Sequence, residues 1–283
     1  MRILVIGITG MLGNTLFRHF QPNPAFTTLG TVRGSRARTP FVDTVDSIIE
    51  GVDAENFDSI TRAVELARPD VVINAVGLIK QLASSKDPLN ALPINALFPH
   101  RLARLCAVAG ARLVHVSTDC VFSGSKGGYT ESDSADADDL YGRSKLLGEV
   151  DYPHAVTLRT SIIGHELGSS NGLIGWFLGQ HSQVRGFTRA IFSGFPTIEI
   201  ARIIESRVLP NPELHGLYHV ASAPISKHDL LTLVASTYGQ QVQIVPDDSL
   251  AIDRSLDASR FNSATGYRPP TWPELVRAMH TFG

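Results

Sequence analysis

Ile3-Leu4-Val5-Ile6-Gly7-Ile8-Thr9-Gly10-Met11-Leu12-Gly13 is the stretch whose reading decides the fold. Four consecutive apolar residues describe a strand buried on both faces. The glycines that follow describe a turn, and a helical pattern starts at Met11. A strand that enters a helix through such a turn places backbone N–H groups and the positive end of a helix dipole where a phosphate can sit. Gly7 permits the tight turn, Gly10 lets the backbone approach a pyrophosphate, and Gly13 lets the helix lie close to the sheet. With Thr9, Met11 and Leu12 between them, they form the candidate dinucleotide site.

The pattern repeats outward. Apolar runs at Arg2–Ile6, Thr28–Val32, Val71–Ala75 and Arg112–Ser117 alternate with helical stretches at Met11–Phe20, Glu55–Ala67 and Pro99–Ala109. Strand–helix alternation at this spacing predicts parallel βαβ units, and hence an α/β, Rossmann-type doubly wound sheet. Ser123–Asp139, rich in Gly, Ser and Asp, reads as a loop, Tyr141–Asp151 as a helix and Ala155–Arg159 as a strand. Beyond Thr160 the regularity falls away through a glycine-rich stretch. Ser226–Tyr238 reads as a helix capped by Ser226, and Pro273–Phe282 as a terminal helix. The chain therefore divides into a dinucleotide-binding core over 1–160 and a smaller substrate-binding region over 161–283, which is free to return strands to the core sheet.

The end of the second run reads Thr31-Val32-Arg33-Gly34-Ser35-Arg36 and holds no acid. An acid there would bind the 2′-hydroxyl of NAD, and a basic group accommodates the 2′-phosphate of NADP. The expected cofactor is NADPH, with Arg33, Ser35 and Arg36 at the phosphate; NADH is the alternative. Asp53 is placed near the adenine, or else is an exposed helix-capping acid. Asn74-Ala75-Val76-Gly77 ends a strand where a ribose would pass.

Tyr141-Gly142-Arg143-Ser144-Lys145 places a phenol and an ammonium at i and i+4, on one helix face. A tyrosine with a pKa of about 10 shuttles protons poorly near neutral pH unless a neighbouring cation stabilises its phenolate. Ser117-Thr118-Asp119 ends another apolar run, and the carboxyl ends of such strands face the ligand crevice. Thr118 can offer its hydroxyl to the carbonyl oxygen that Tyr141 protonates. Together these features point to hydride transfer.

Composition narrows the alternatives. The 283 residues carry a net charge of −2, which gives no footprint for nucleic acid or an anionic membrane. No apolar run approaches the roughly 20 residues of a membrane span, and no signal peptide is read at the start. Cys106 and Cys120 form no metal-spaced set, and the two histidines of His215-Gly216-Leu217-Tyr218-His219 read as a turn entering a strand. No metal site and a reduced, cytoplasmic setting are expected.

The chain resembles the dTDP-4-dehydrorhamnose reductase family of extended short-chain dehydrogenase/reductases. The resemblance is carried by residues 7–13, Asn74-Ala75-Val76-Gly77, Ile94-Asn95-Ala96-Leu97-Phe98-Pro99, residues 117–124, residues 141–149, Leu158-Arg159-Thr160-Ser161 and Gly194-Phe195-Pro196-Thr197. It implies reduction of a 4-keto nucleotide sugar for cell-surface polysaccharide synthesis. Tyr141 would be the proton donor, Lys145 the residue that tunes it and binds the nicotinamide ribose, and Thr118 the carbonyl-positioning group. Asp119 and Val121 are expected at the substrate, with Lys80, Arg189 and Arg254 as cations for its diphosphate and Trp176 as a stacking surface. The second half departs from the typical member, which leaves dTDP-, UDP- and GDP-linked sugars open. A nucleotide-sugar epimerase or dehydratase is the enzyme alternative, and a dinucleotide-binding regulatory subunit the non-catalytic one. A homodimer is the expected assembly.

Overall fold

The computed structural model describes residues 1–80 and 83–283; the side chains of residues 35–39, 42, 83 and 84 lie outside the described set. The chain forms two compact units. The first comprises Met1–Ser117, Asp139–Leu158 and Pro212–Leu217, and the second Thr118–Asp138, Arg159–Asn211 and Tyr218–Gly283. Against the expected line at residue 160, Thr118–Asp138 and Arg159–Thr160 group with the second unit, while Pro212–Leu217 returns to the first as the expectation allowed.

A seven-stranded sheet organises the first unit. Its strands are β1 (Arg2–Ile6), β2 (Thr27–Thr31), β3 (Ile48–Ile49), β4 (Val71–Asn74), β5 (Arg112–Thr118), β6 (Ala155–Thr160) and β7 (Gly216–His219). Their spatial order is β7-β6-β5-β4-β1-β2-β3. β1 pairs in parallel with both β2 and β4, which makes it the point where the strand order reverses. The helices are α1 (Met11–Phe20), α2 (Phe57–Ala67), α3 (Phe98–Ala109) and α4 (Leu140–Leu147).

Burial explains the continuous apolar runs. Leu4 and Ile6 of β1 join Val72 and Leu113 in one core cluster with Ile60 and Val64 of α2 and Leu102 and Cys106 of α3. The alternate residues Ile3, Val5, Ile73 and Val114 point to the opposite face and are also buried. At about 25 cal/mol per Å² of apolar surface, each such side chain contributes roughly 1.5–3 kcal/mol.

Two elements depart from the sequence expectation. α3 is preceded by a short helix at Pro88–Ala91 and a π-helical turn at Leu92–Leu97. α4 stops at Leu147, short of the expected Asp151, and its C-cap Gly148 packs against that π turn. A Cβ on Gly148 would lie 1.9 Å from the Asn95 carbonyl oxygen.

The second unit is built from short pieces. Ile162–Ile163 pairs with Phe195–Pro196, and Gln183–Phe187 with Gln243–Asp247. Ala190–Phe192 is flanked by Ile225–Ser226 and Ile252–Asp253. Its helices are α5 (Leu173–Leu178), α6 (Thr197–Ile203), α7 (Lys227–Tyr238), α8 (Ser259–Thr265) and α9 (Trp272–Phe282). The Ser226 hydroxyl accepts the Asp229 N–H at 3.0 Å and caps α7, and Thr271 with Glu274 forms a capping box on α9. Among the described residues no helix is long and apolar enough to cross a membrane.

Candidate active site

The glycine turn lies at the carboxyl end of β1. Gly7 has φ +89°, a region open to glycine, and its N–H donates to Thr31 Oγ1 at 3.1 Å. Gly13 is required by proximity, since a Cβ there would lie 2.1 Å from the Gly7 carbonyl oxygen. Gly10 differs from both. A Cβ on it would make only ordinary contacts, the nearest at 3.6 Å, and its φ of −78° suits any residue. The fold therefore does not need glycine at position 10, whereas a ligand drawn close to the backbone would. Gly10 and Thr9 are exposed, and Gly10 supplies no side-chain cap to α1. Met11 is half-buried and Leu12 buried.

A strap of four residues, Ala75–Leu78, lies against this turn. A Cβ on Gly7 would come within 2.7 Å of Val76 Cγ2. The Val76 N–H donates to Asn74 Oδ1 at 3.1 Å. At the other end the Leu78 N–H donates to Asn95 Oδ1 at 2.9 Å, and Asn95 Nδ2 donates to the Leu78 carbonyl at 3.3 Å. Asn95 Nδ2 also reaches Ser144 Oγ at 3.2 Å, which ties the strap to α4. A Cβ on Gly77 would lie 3.9 Å from Lys145 Nζ.

α4 carries Tyr141 and Lys145. Its N-cap is Asp139, whose Oδ1 accepts the Gly142 N–H at 2.7 Å and whose Oδ2 accepts Lys80 Nζ at 2.5 Å. Lys80, expected at a substrate diphosphate, is thus ion-paired to the cap of this helix. Tyr141 is half-buried, and its carbonyl accepts the Ser144 hydroxyl at 2.9 Å. Lys145 is buried, and its Nζ donates to the Val116 carbonyl of β5 at 2.9 Å. Burial pushes its pKa down to about 8, with Glu149 opposing the shift. The first unit thus brings together the glycine turn, the strap and Lys145.

The other cofactor candidates lie apart. Arg33 is exposed just beyond β2, and the Ser35 and Arg36 side chains fall outside the described residues. Asp53 Oδ1 accepts the Glu55 N–H at 3.1 Å in the turn before α2, whose N-cap is Asn56.

The second unit gathers a cluster of its own. The Thr118 hydroxyl accepts the Cys120 N–H at 3.1 Å and donates to Asp119 Oδ1 at 3.2 Å. Burial raises the pKa of the Asp119 carboxyl, while Arg254 and the Thr118 hydrogen bond oppose the rise. Arg254 Nε donates to the Phe122 carbonyl at 2.7 Å. Val121 is fully buried. Trp176, 41% exposed, sits on α5 between buried Ile174 and Phe177, and Arg189 is exposed beside Ala190–Phe192.

Asn95, Ser144 and the Val116 carbonyl were not singled out as site residues from the sequence. Asn95 and Ser144 both lie inside motifs that carried the resemblance. Their roles become visible only when the π turn lies on α4. A backbone carbonyl leaves no trace in sequence.

Comparison with known proteins supplies the family. The chain is 41% identical over 101 residues to a dTDP-4-dehydrorhamnose reductase of Mycobacterium tuberculosis, a match that covers 32% of this chain and 33% of that reductase. It is 28% identical over 315 residues to methionine adenosyltransferase 2 subunit beta of Mus musculus, covering 97% of this chain and 88% of that protein. In structure it is similar to a Bacillus anthracis dTDP-4-dehydrorhamnose reductase solved in complex with NADP. That likeness has a TM-score of 0.79 at 21% identity and covers 99% and 98% of the two chains. The model described as RmlD substrate binding domain matches residues 1–280, and the chain belongs to that family.

Proposed function

We propose that the chain is an NADPH-dependent reductase of a 4-keto deoxy nucleotide sugar, making a precursor for cell-surface polysaccharide. The observation that carries this reading is the buried Lys145 ammonium, on the same helix as Tyr141 and beside the strap that lies against the glycine turn. Gly10, free of any demand from the fold, supports a dinucleotide at that turn. A bound nicotinamide dinucleotide supplies the hydride. Gly7–Gly13 would hold its pyrophosphate, Ala75–Gly77 would flank its ribose, and Arg33 would take the 2′-phosphate.

Tyr141 donates its phenolic proton to the substrate carbonyl oxygen as the carbonyl carbon gains a C–H bond, and the phenolate regains a proton from solvent. Lys145 stabilises that phenolate and holds the ribose. Thr118 would hydrogen-bond the same oxygen, a role assigned from its motif, once its hydroxyl proton turns from Asp119 Oδ1. General acid catalysis of this kind contributes about 10²–10⁴-fold. The test is cofactor oxidation with a panel of dTDP-, UDP- and GDP-linked 4-keto sugars. Oxidation with one of them supports the reductase. Dinucleotide binding without turnover across the panel overturns it.

The likeness to a subunit of an adenosyltransferase supports a second reading, a dinucleotide-binding regulatory subunit. The presence of Tyr141, Lys145 and Thr118 weighs against it, and the same panel separates the two.

A homodimer is the proposed assembly. Leu89, Leu92, Leu97 and Leu147 line a largely apolar groove with Pro93, Ala96 and His100, and Leu89 is 82% exposed. A two-fold partner would present the same apolar stripe, free of Asp, Glu, Lys and Arg, so pairing would bury none of those charges. Light scattering tests this. A dimer that Leu97→Glu converts to monomer supports it, and a monomeric wild-type protein overturns it.

A further inference from the structure

His115 lies in the middle of β5, is fully buried, and stands directly opposite Asn74 in the β4–β5 register. Burial, with the Lys145 and His100 charges, holds its pKa well below the ordinary imidazole value, so the ring is neutral. Asn74 Oδ1 accepts the Val76 N–H, so the amide's other end, Nδ2, faces His115 Nδ1 at 3.1 Å as a donor. That fixes His115 Nδ1 as an acceptor and places the ring proton on Nε2. Among the described residues Nε2 itself has no hydrogen-bond partner. The ring is thus held in one tautomer for the sake of a single acceptor contact.

The contact leads to the cofactor site. His115 orients the Asn74 amide, Asn74 holds the Val76 amide, and Val76 packs against Gly7. With the far end of the strap clamped by Asn95, the Asn74 end is the one His115 controls. We propose that His115 is a positioning residue for the dinucleotide, setting the height of the Ala75–Leu78 strap over the glycine turn through Asn74. In the absence of the Nδ1 acceptor, Asn74 Nδ2 has no partner on β5, and its amide is free to turn away from Val76.

The inference rests on the cofactor reading above, and the experiment separates the two. NADPH binding to wild-type protein is measured by calorimetry, alongside His115→Phe, which keeps a buried ring without an acceptor, and His115→Gln, whose amide oxygen can replace Nδ1. The expected result is a Kd and KM for NADPH raised about tenfold in His115→Phe, the size of one neutral hydrogen bond, with kcat within about twofold. His115→Gln should restore binding to within about threefold. Unchanged NADPH affinity in His115→Phe overturns the positioning role, as does equal loss in both variants. Wild-type protein that binds no dinucleotide overturns the cofactor reading instead. If His115→Phe does not fold, ¹⁵N spectroscopy of the wild-type imidazole decides. The Nε2-protonated tautomer at neutral pH supports the contact, and the Nδ1-protonated form overturns it.

Discussion

Lys145 Nζ donates to the carbonyl of Val116 at 2.9 Å, so the ammonium of a helix residue is anchored by the backbone of a strand. The contact fixes where the charge sits, and burial sets how readily it is lost. The pKa lies at about 8 against an ordinary 10.5. A catalytic role for the cation therefore predicts turnover that falls as pH rises through about 8. The stability effect has the opposite sign. Between about 8 and 10.5 the unfolded chain binds the proton that the folded chain has released, so stability rises with pH across that window, by about 3 kcal/mol in all. Denaturant melts at pH 7 and 10 should show this gain in the wild type and its loss in Lys145→Met.

Tyr141→Phe removes one oxygen from a half-buried ring and leaves the turn and strap untouched. Turnover should fall by about 10²–10⁴-fold while NADPH affinity stays within about threefold. Full activity in that variant, measured by steady-state kinetics, sinks the proton-donor assignment.

The glycines of the turn should respond in opposite ways. Gly13→Ala forces a Cβ to 2.1 Å from the Gly7 carbonyl and should cost several kcal/mol of stability. Gly10→Ala meets nothing closer than 3.6 Å and should melt within about 1 kcal/mol of the wild type, yet bind NADPH at least about tenfold more weakly. Thermal melts paired with calorimetry check both. A Gly10→Ala protein with wild-type affinity would remove the pyrophosphate from this turn.

Arg33 is exposed beyond β2. If it meets a 2′-phosphate, Arg33→Ala should raise the KM for NADPH about tenfold and that for NADH by less than about twofold. Equal effects on both cofactors would take Arg33 out of the site.

Much of this was legible in the sequence because the first unit obeys simple periodicities. β1, α1, α2 and the Tyr141 helix follow from apolar runs, glycine spacing and i,i+4 placement. The π turn at Leu92–Leu97 was not legible, because its neighbour, Gly148 packed on Asn95, lies about 50 residues along the chain and no local period marks it. The second unit was read poorly for a related reason. Its strands are two to five residues long and paired across large sequence gaps, as with Gln183–Phe187 and Gln243–Asp247, too short for a period to emerge. The role of Asn74 was read only in part: its position beside a ribose was inferred, but not the partner across the sheet that directs its amide.

Asp139 gives one oxygen to the Gly142 amide and the other to Lys80, and the two duties are separable. A phosphate competing for Lys80 would displace it from one oxygen and leave the helix cap on the other. On the proposed function, Lys80 would therefore exchange its partner for an anionic guest while the first turn beneath Tyr141 keeps its shape, so recruitment of a substrate and rigidity of the proton donor would not compete.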